Sequence, residues 1–208
     1  MTQVGAFNAF SPTLLADLLT RAQVMDGGVR PLWPDMPRVA GLAFTVRCLP
    51  GENLMLHAAI YRAAPGSILV VEGGDSQYAV AGANVCAVAQ KRGVAALVVD
   101  GVIRDLAETR ARGFPVFARG VMPIPGAKEA LGALGGPVLC GGVTVWPGDV
   151  IVADEEGIVV VPKGQAAQVW HQAQARAHKE SLETLEQWEV QHRARIEALL
   201  KEKGFRDE

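Results

Sequence analysis

Glycine and proline are spread so unevenly along this chain that they divide it in two. Of 23 glycines and 12 prolines, only Gly204 lies beyond Gly164. Both residues punctuate short elements and disfavour helix interiors. The first part must therefore be short strands and helices joined by tight turns. From Gln165 to Lys203 the chain is rich in Ala, Glu, Gln, Lys, Arg and Leu, which are good helix formers. That pattern predicts a long helical tail with room for one break. The expected division is a catalytic body over residues 1–163 and a helical tail over residues 164–208.

Composition narrows the function classes. Half of the 208 residues are apolar, enough for a sizeable core. Twenty basic and 22 acidic residues leave a net charge of −2, so no basic excess points to a nucleic-acid partner. Cys48, Cys86 and Cys140 lie far apart without a C-x-x-C spacing, which argues against a disulfide scaffold and a cysteine zinc site. The opening MTQVGAFNAF has no basic stretch leading into an apolar one, so no secretory signal is read there. Gly, Asp or Pro breaks every apolar run within about ten residues, too short to cross a bilayer. A cytoplasmic protein with no membrane partner is expected.

Pro12–Gln23 reads as a first helix, with Ser11 as N-cap and Pro12 at its first position. Strands are expected at Gly41–Arg47, Ser67–Val71, Ala96–Val99 and Pro115–Ala118. Helices are expected between them at Asn53–Ala63, Gly82–Arg92 and Asp105–Arg112, the last two closed by Gly93 and Gly113. Asp100-Gly101 reads as a turn. Short strands at Val138–Cys140, Val143–Val145, Val150–Ala153 and Gly157–Val161 have hairpin spacing. The order implies a mixed, layered α/β body and not a doubly wound sheet throughout.

Common catalytic signatures are missing. There is no G-x-G-x-x-G opening a helix, no P-loop, no G-x-S-x-G and no H-E-x-x-H. His171 and His178 share a helix face in the tail, and solvated positions are the simpler reading for them. The informative stretch is Gly82–Gly120, GANVCAVAQKRGVAALVVDGVIRDLAETRARGFPVFARG. A helix opening at Gly82 offers the backbone N–H groups of Ala83, Asn84 and Val85 to a carboxylate or phosphate. Past the strand at Ala96–Val99, where open α/β sheets collect ligands, stand Arg104 and Asp105. Arg104 is a planar cation suited to a carboxylate, and Asp105 a hard oxygen donor suited to magnesium or manganese. Glu108 falls on the same helix side. The bland alternative is a capping box, Asp105 with Glu108, beside an arginine paired to a surface carboxylate. Arg47 is open to a distal substrate carboxylate or to pairing with Glu52. His57, four residues after Asn53, is open to proton transfer or to simple burial, and Asp75 to the crevice or to its own loop.

The stretch resembles the 4-hydroxy-4-methyl-2-oxoglutarate / 4-carboxy-4-hydroxy-2-oxoadipate aldolase family, which shares its fold with ribonuclease-inhibitor RraA-like proteins. The resemblance rests on Gly82 followed by Arg104-Asp105-Leu106-Ala107-Glu108, on RGVAALVVDGVIRD and RGFPVFARG, on GGVTVWPGDVIVADEEGIVVVP, and on VAGLAFTVRCLPGENLMLH upstream. It spans about Pro12 to Pro162. It implies a layered α/β/β/α, swivelling-domain-like body with a C-terminal helical tail. It also implies a divalent-metal (Mg2+ or Mn2+) aldolase that cleaves a 4-hydroxy-2-oxo acid to pyruvate and a second keto acid, with oxaloacetate decarboxylation alongside. By the same resemblance Asp105 ligates the metal, with waters in most other positions. Arg104 holds the ketone or enolate oxygen, and the backbone from Gly82 through Ala83 and Asn84 to Val85 holds the C1 carboxylate. Glu108 joins the catalytic group, and Glu180 in the tail serves a neighbouring subunit's site. The family forms trimers, often paired as hexamers, and the tail is expected to pack on a neighbour. The sequence departs from the family at Ala83, where an acidic residue is common. A Schiff-base aldolase is disfavoured because none of the six lysines sits in an apolar strand run. The alternatives are a related decarboxylase with another keto-acid substrate, or a non-catalytic binder like the ribonuclease inhibitors.

Overall fold

A computed structural model describes residues 4–206; the outermost residues of the expected body and tail lie outside that range. In chain order the strands are β1 (Arg30–Pro31), β2 (Val39–Arg47), β3 (Ile68–Glu72), β4 (Ala79–Ala81), β5 (Ala96–Ile103), β6 (Val116–Val121), β7 (Ala133–Leu134), β8 (Val138–Cys140), β9 (Val143–Val145), β10 (Val150–Asp154) and β11 (Gly157–Val161). The helices are α1 (Pro12–Ala16), α2 (Leu54–Ala59), α3 (Ala83–Lys91), α4 (Leu106–Ala111), α5 (Ala166–Leu182) and α6 (Leu185–Glu202).

β2 belongs to two layers at once. Residues 43–47 pair in parallel with β3, while residues 39–42 pair antiparallel with β10. The change of partner falls between Leu42 and Ala43, just after Gly41, where a Cβ would meet the Gly66 carbonyl at 2.4 Å. The main sheet runs β1-β6-β5-β3-β2-β10-β11 and curls until β1 lies against β11. In strands, successive side chains face opposite ways. Leu69, Val71, Leu97 and Val99 meet Leu56, Ala59, Cys86 and Ala89 of α2 and α3. Their neighbours Ile68, Val70, Ala96 and Val98 meet the β8–β9 hairpin and Ile151, Ala153, Ile158 and Val160. The other faces of β10 and β11, through Val150, Val152, Val159 and Val161, carry Phe7, Leu15 and Val169. The order of layers is α/β/β/α, as expected.

Several boundaries differ from the sequence reading. α1 keeps its Ser11 cap, whose hydroxyl accepts from Leu14 N–H, but stops at Ala16 instead of Gln23. A separate 3-10 turn, Arg21–Gln23, follows, with Gln23 folded back onto the Thr20 amide. The helix expected to reach Ala63 ends at Ala59, where a tight turn sends the Arg62 and Ala63 amides to the Ala59 carbonyl ahead of Pro65. Asp100-Gly101 is not a turn: β5 runs through it to Ile103 with a register shift. β4, not foreseen, pairs in parallel with the end of β5.

The tail breaks once, at Glu183–Thr184. Its first half packs on its own body: Ala166, Val169 and Ala173, one apolar stripe, are buried against β10 and β11. Trp170 lies edge-on to Phe7 and Phe10, at 5.2 and 4.9 Å between ring centres. α6 buries no residue and opens with a Thr184–Gln187 capping box. Among the described residues, no helix is long and apolar enough to cross a membrane.

All three cysteines are free and buried. Burial pushes the Cys86 thiol up to about 12 and raises those of Cys48 and Cys140 as well. A thiol reagent at pH 8 is expected to label none of them in the folded protein and all three in denaturant. The folded values lie above the ordinary 9.0, so this contribution to stability is complete below that pH and fades as the pH climbs towards 12. Rapid labelling of native protein would contradict the packing described.

Candidate active site

Two strand ends meet beside two helix starts. β4 and β5 run parallel with Ala81 opposite Ile103, and the Arg104 amide continues the ladder to the Ala81 carbonyl at 2.9 Å. The chain leaves β4 at Gly82 into α3, and leaves β5 through Arg104 and Asp105 into α4. This is the carboxyl edge of a parallel sheet, where α/β folds collect ligands.

Asp105 occupies the left-handed region, φ 58 and ψ 46. Few residues with a Cβ do so, although aspartate is among the more tolerant. Its carbonyl is held by the Thr109 amide (3.0 Å) and hydroxyl (2.9 Å). Its side chain does not cap α4, so the capping-box reading does not hold. Instead Oδ2 accepts the Ala83 N–H at 3.0 Å and lies 3.7 Å from Arg104 Nε. Both side chains remain about two-fifths exposed. Gly82 is what lets them converge. A Cβ there would sit 2.5 Å from Asp105 Oδ2 and 3.1 Å from Arg104 Cγ and Nε.

The start of α3 offers fewer free amides than its sequence suggests. Of the three amides offered at the start of α3, that of Ala83 is taken by Asp105. The Asn84 and Val85 N–H groups remain for a ligand, at the positive end of the helix. Asn84 is exposed and Val85 half-buried.

Asp105 fits a divalent ion that keeps most of its own water. One carboxylate oxygen is engaged by Ala83, and no described residue donates to the other. Among the described residues no cluster of three His, Cys, Asp or Glu is placed to hold a metal. A site with one protein oxygen and several waters suits magnesium or manganese better than zinc.

The other expected residues fall as follows. Glu108 stands one turn into α4 and faces solvent. Glu180 accepts from Arg176 Nε at 2.8 Å and lines a cleft of about 950 Å³ between α5 and α6. It makes no hydrogen bond or ion pair to residues 82–108. Arg47 pairs with Glu72 (3.0 Å) and the Pro137 carbonyl (3.1 Å), not with Glu52. Asp75 ties its own loop, accepting from the amides of Gly51, Gln77 and Tyr78. His57 is half-buried, and burial, aided by the Lys128 charge, pushes it below its ordinary 6.5. Asn53 donates to the Gly126 carbonyl at 3.1 Å. Sequence reasoning missed Arg119, which forks onto Asp100 and Asp26 beneath the site.

Fold and site together define a layered α/β protein with a carboxylate, a guanidinium and free helix amides converging on one glycine. Residues 12–160 match the model of the RraA-like family, described as aldolase/RraA, and the chain belongs to that family. A Halalkalibacterium halodurans protein named "Putative 4-hydroxy-4-methyl-2-oxoglutarate aldolase" is 37% identical over 174 residues, 83% of this chain and 82% of its own. Among solved structures, Streptomyces coelicolor RraAS2, described as an unusual member of the RNase ES inhibitor RraA protein family, superposes with a TM-score of 0.72 at 28% identity. That match covers 94% of this chain and 98% of its own. The RNA-processing inhibitor RraA from Thermus thermophilis gives 0.66 at 30% identity, over 73% and 92%.

Proposed function

We propose that the protein is a carbon–carbon lyase that releases pyruvate from a 4-hydroxy-2-oxo di- or tricarboxylate and from oxaloacetate, with Mg2+ or Mn2+ as its cofactor. The observation that carries this reading is the convergence on Gly82 of Asp105 Oδ2 and Arg104 Nε, 2.5 and 3.1 Å from where a Cβ would stand. The names of the related aldolases support it.

The substrate's C1 carboxylate rests on the Asn84 and Val85 amides, where the helix end favours an anion. The Arg104 guanidinium donates to the C2 oxygen and stabilises the charge that grows there. Asp105 presents its free oxygen to the ion, while the Ala83 N–H fixes the other. When bound, the ion polarises the C2 carbonyl as a Lewis acid. The 4-hydroxyl gives up its proton, the C3–C4 bond breaks, and its electrons pass into the enolate of pyruvate, which takes a proton at C3. Decarboxylation of oxaloacetate leaves the same enolate. Glu108 and Glu180 are the carboxylates assigned to proton transfer. Glu180 acts on a neighbouring subunit's site in a trimer or hexamer.

The test is pyruvate release from oxaloacetate and from 4-hydroxy-4-methyl-2-oxoglutarate, with EDTA and after metal is restored. EDTA is expected to abolish turnover. Asp105→Ala is expected to lower it by about 10² to 10³, the several kcal/mol that a bound metal supplies. Metal-independent turnover, or a fully active Asp105→Ala, would overturn the proposal. A non-catalytic role akin to the RNA-processing inhibitors draws on the structural neighbours, but a carboxylate held against an arginine at a helix start favours the lyase.

A further inference from the structure

β5 does not run straight into the site. From Val99 to Val102 it advances three residues while its partner β6 advances two, from Ala118 to Gly120. The extra residue is a β-bulge at Asp100–Gly101. There β5 also changes neighbours: its last pair with β3 is Asp100 with Glu72, and its first with β4 is Val102 with Ala79. A one-residue slip in a strand exchanges the two faces. The bulge therefore sets the register in which the end of β5 delivers both Arg104 and Asp105 to Gly82.

The bulge is held from the opposite side of the sheet. Arg119, on β6, donates through Nε to Asp100 Oδ1 and through Nη2 to Oδ2 at 3.2 Å. Asp100 Oδ2 also accepts the Gly141 amide at 2.8 Å. The far edge of the guanidinium meets Asp26, Nη1 to Oδ1 at 3.3 Å and Nη2 to Oδ2 at 3.2 Å. Asp26 is fixed in turn by the Gly28 amide at 2.8 Å. Arg119 holds the Asp26 carboxyl below its ordinary 3.8. Two glycines let the backbone come close to this fork: a Cβ on Gly28 would lie 2.1 Å from Arg119 Nη1 and one on Gly73 2.7 Å from the Asp100 carbonyl. None of these three charged groups bonds to Gly82, Arg104 or Asp105.

We propose that Arg119, forked between Asp26 and Asp100, is a positioning residue that locks the Asp100–Gly101 bulge and so sets the aim of Arg104 and Asp105. Its effect on turnover rests on the lyase reading; its effect on the bulge does not. Arg119→Lys keeps the charge and loses the planar fork. Backbone hydrogen exchange of residues 102–106 is expected to quicken by about tenfold or more, while residues 68–72 of β3 keep their protection. Because small misplacements of reacting groups are costly, kcat per folded molecule should fall by about tenfold to 10²-fold, with KM nearly unchanged. Asp26→Asn should shift both readouts the same way by less, and add little on top of Arg119→Lys. Unchanged exchange at 102–106 overturns the proposal, as does quickening spread evenly over β3 and β5. So does a loss of activity that merely follows the folded fraction. If Arg119→Lys does not fold, Asp26→Asn is read by the same criteria. If wild-type protein releases no pyruvate, the lyase reading fails alone and the exchange result decides the bulge.

Discussion

Arg104→Ala is expected to cut kcat by about 30-fold to 10³-fold, the roughly 2–4 kcal/mol typical of one preorganised donor to a developing oxyanion. The reason is differential. The ground-state ketone oxygen carries a partial charge and the enolate a full one, so a guanidinium beside it does most of its work late. KM should move less than kcat. The folded state should be indifferent, because the side chain is two-fifths exposed and its one ionic contact is 3.7 Å away. Steady-state kinetics on oxaloacetate and a thermal melt check both halves. Arg104→Lys should recover only part of the loss, since an ammonium keeps the charge without the fork. An Arg104→Ala enzyme with wild-type kcat would remove the residue from the chemistry.

Gly82→Ala should be nearly as damaging, for a steric reason. The backbone at Gly82, φ −143 and ψ −175, is extended and open to alanine. The new methyl, however, would stand 2.5 Å from Asp105 Oδ2, a contact no real Cβ tolerates. The carboxylate must swing away, losing its bond to the Ala83 amide and its place beside Arg104. A loss of about 10²-fold in turnover is expected from a displacement near 1 Å. Metal affinity, followed by Mn2+ binding, should weaken in parallel while the melting temperature changes little. Wild-type Mn2+ binding and turnover in Gly82→Ala would show that the cluster around Gly82 is not where the reaction happens.

How much of this was legible beforehand depends on the range of the forces involved. The parallel βα units and the two hairpins follow from local signals: β-branched runs and closing glycines at 93 and 113; the tail's one break was allowed for, but its Thr184 cap was not singled out. Each works within a few residues, so the sequence carries it openly. The meeting of Arg104, Asp105 and Gly82 was also foreshadowed, by their place at strand ends and helix starts and by the family resemblance of the stretch. What escaped depends on pairing across distance. Asp-Gly is a turn signal in isolation, and only β6 alongside turns Asp100–Gly101 into a bulge. Ala79–Ala81 is too short to announce a strand until β5 is there to receive it. Arg119 meets partners 19 and 93 positions away, and no spacing rule reaches that far. The Ala83 amide looked free because its acceptor lies 22 residues on.

The twisted backbone at Asp105 sets robustness against chemistry. A left-handed conformation costs an L-residue about 1 kcal/mol that glycine would not bear. Selection for heat survival alone would therefore drift towards glycine at 105 and discard the carboxylate. On the lyase reading proposed above, an aspartate in that posture gives up some durability to keep an oxygen ligand aimed.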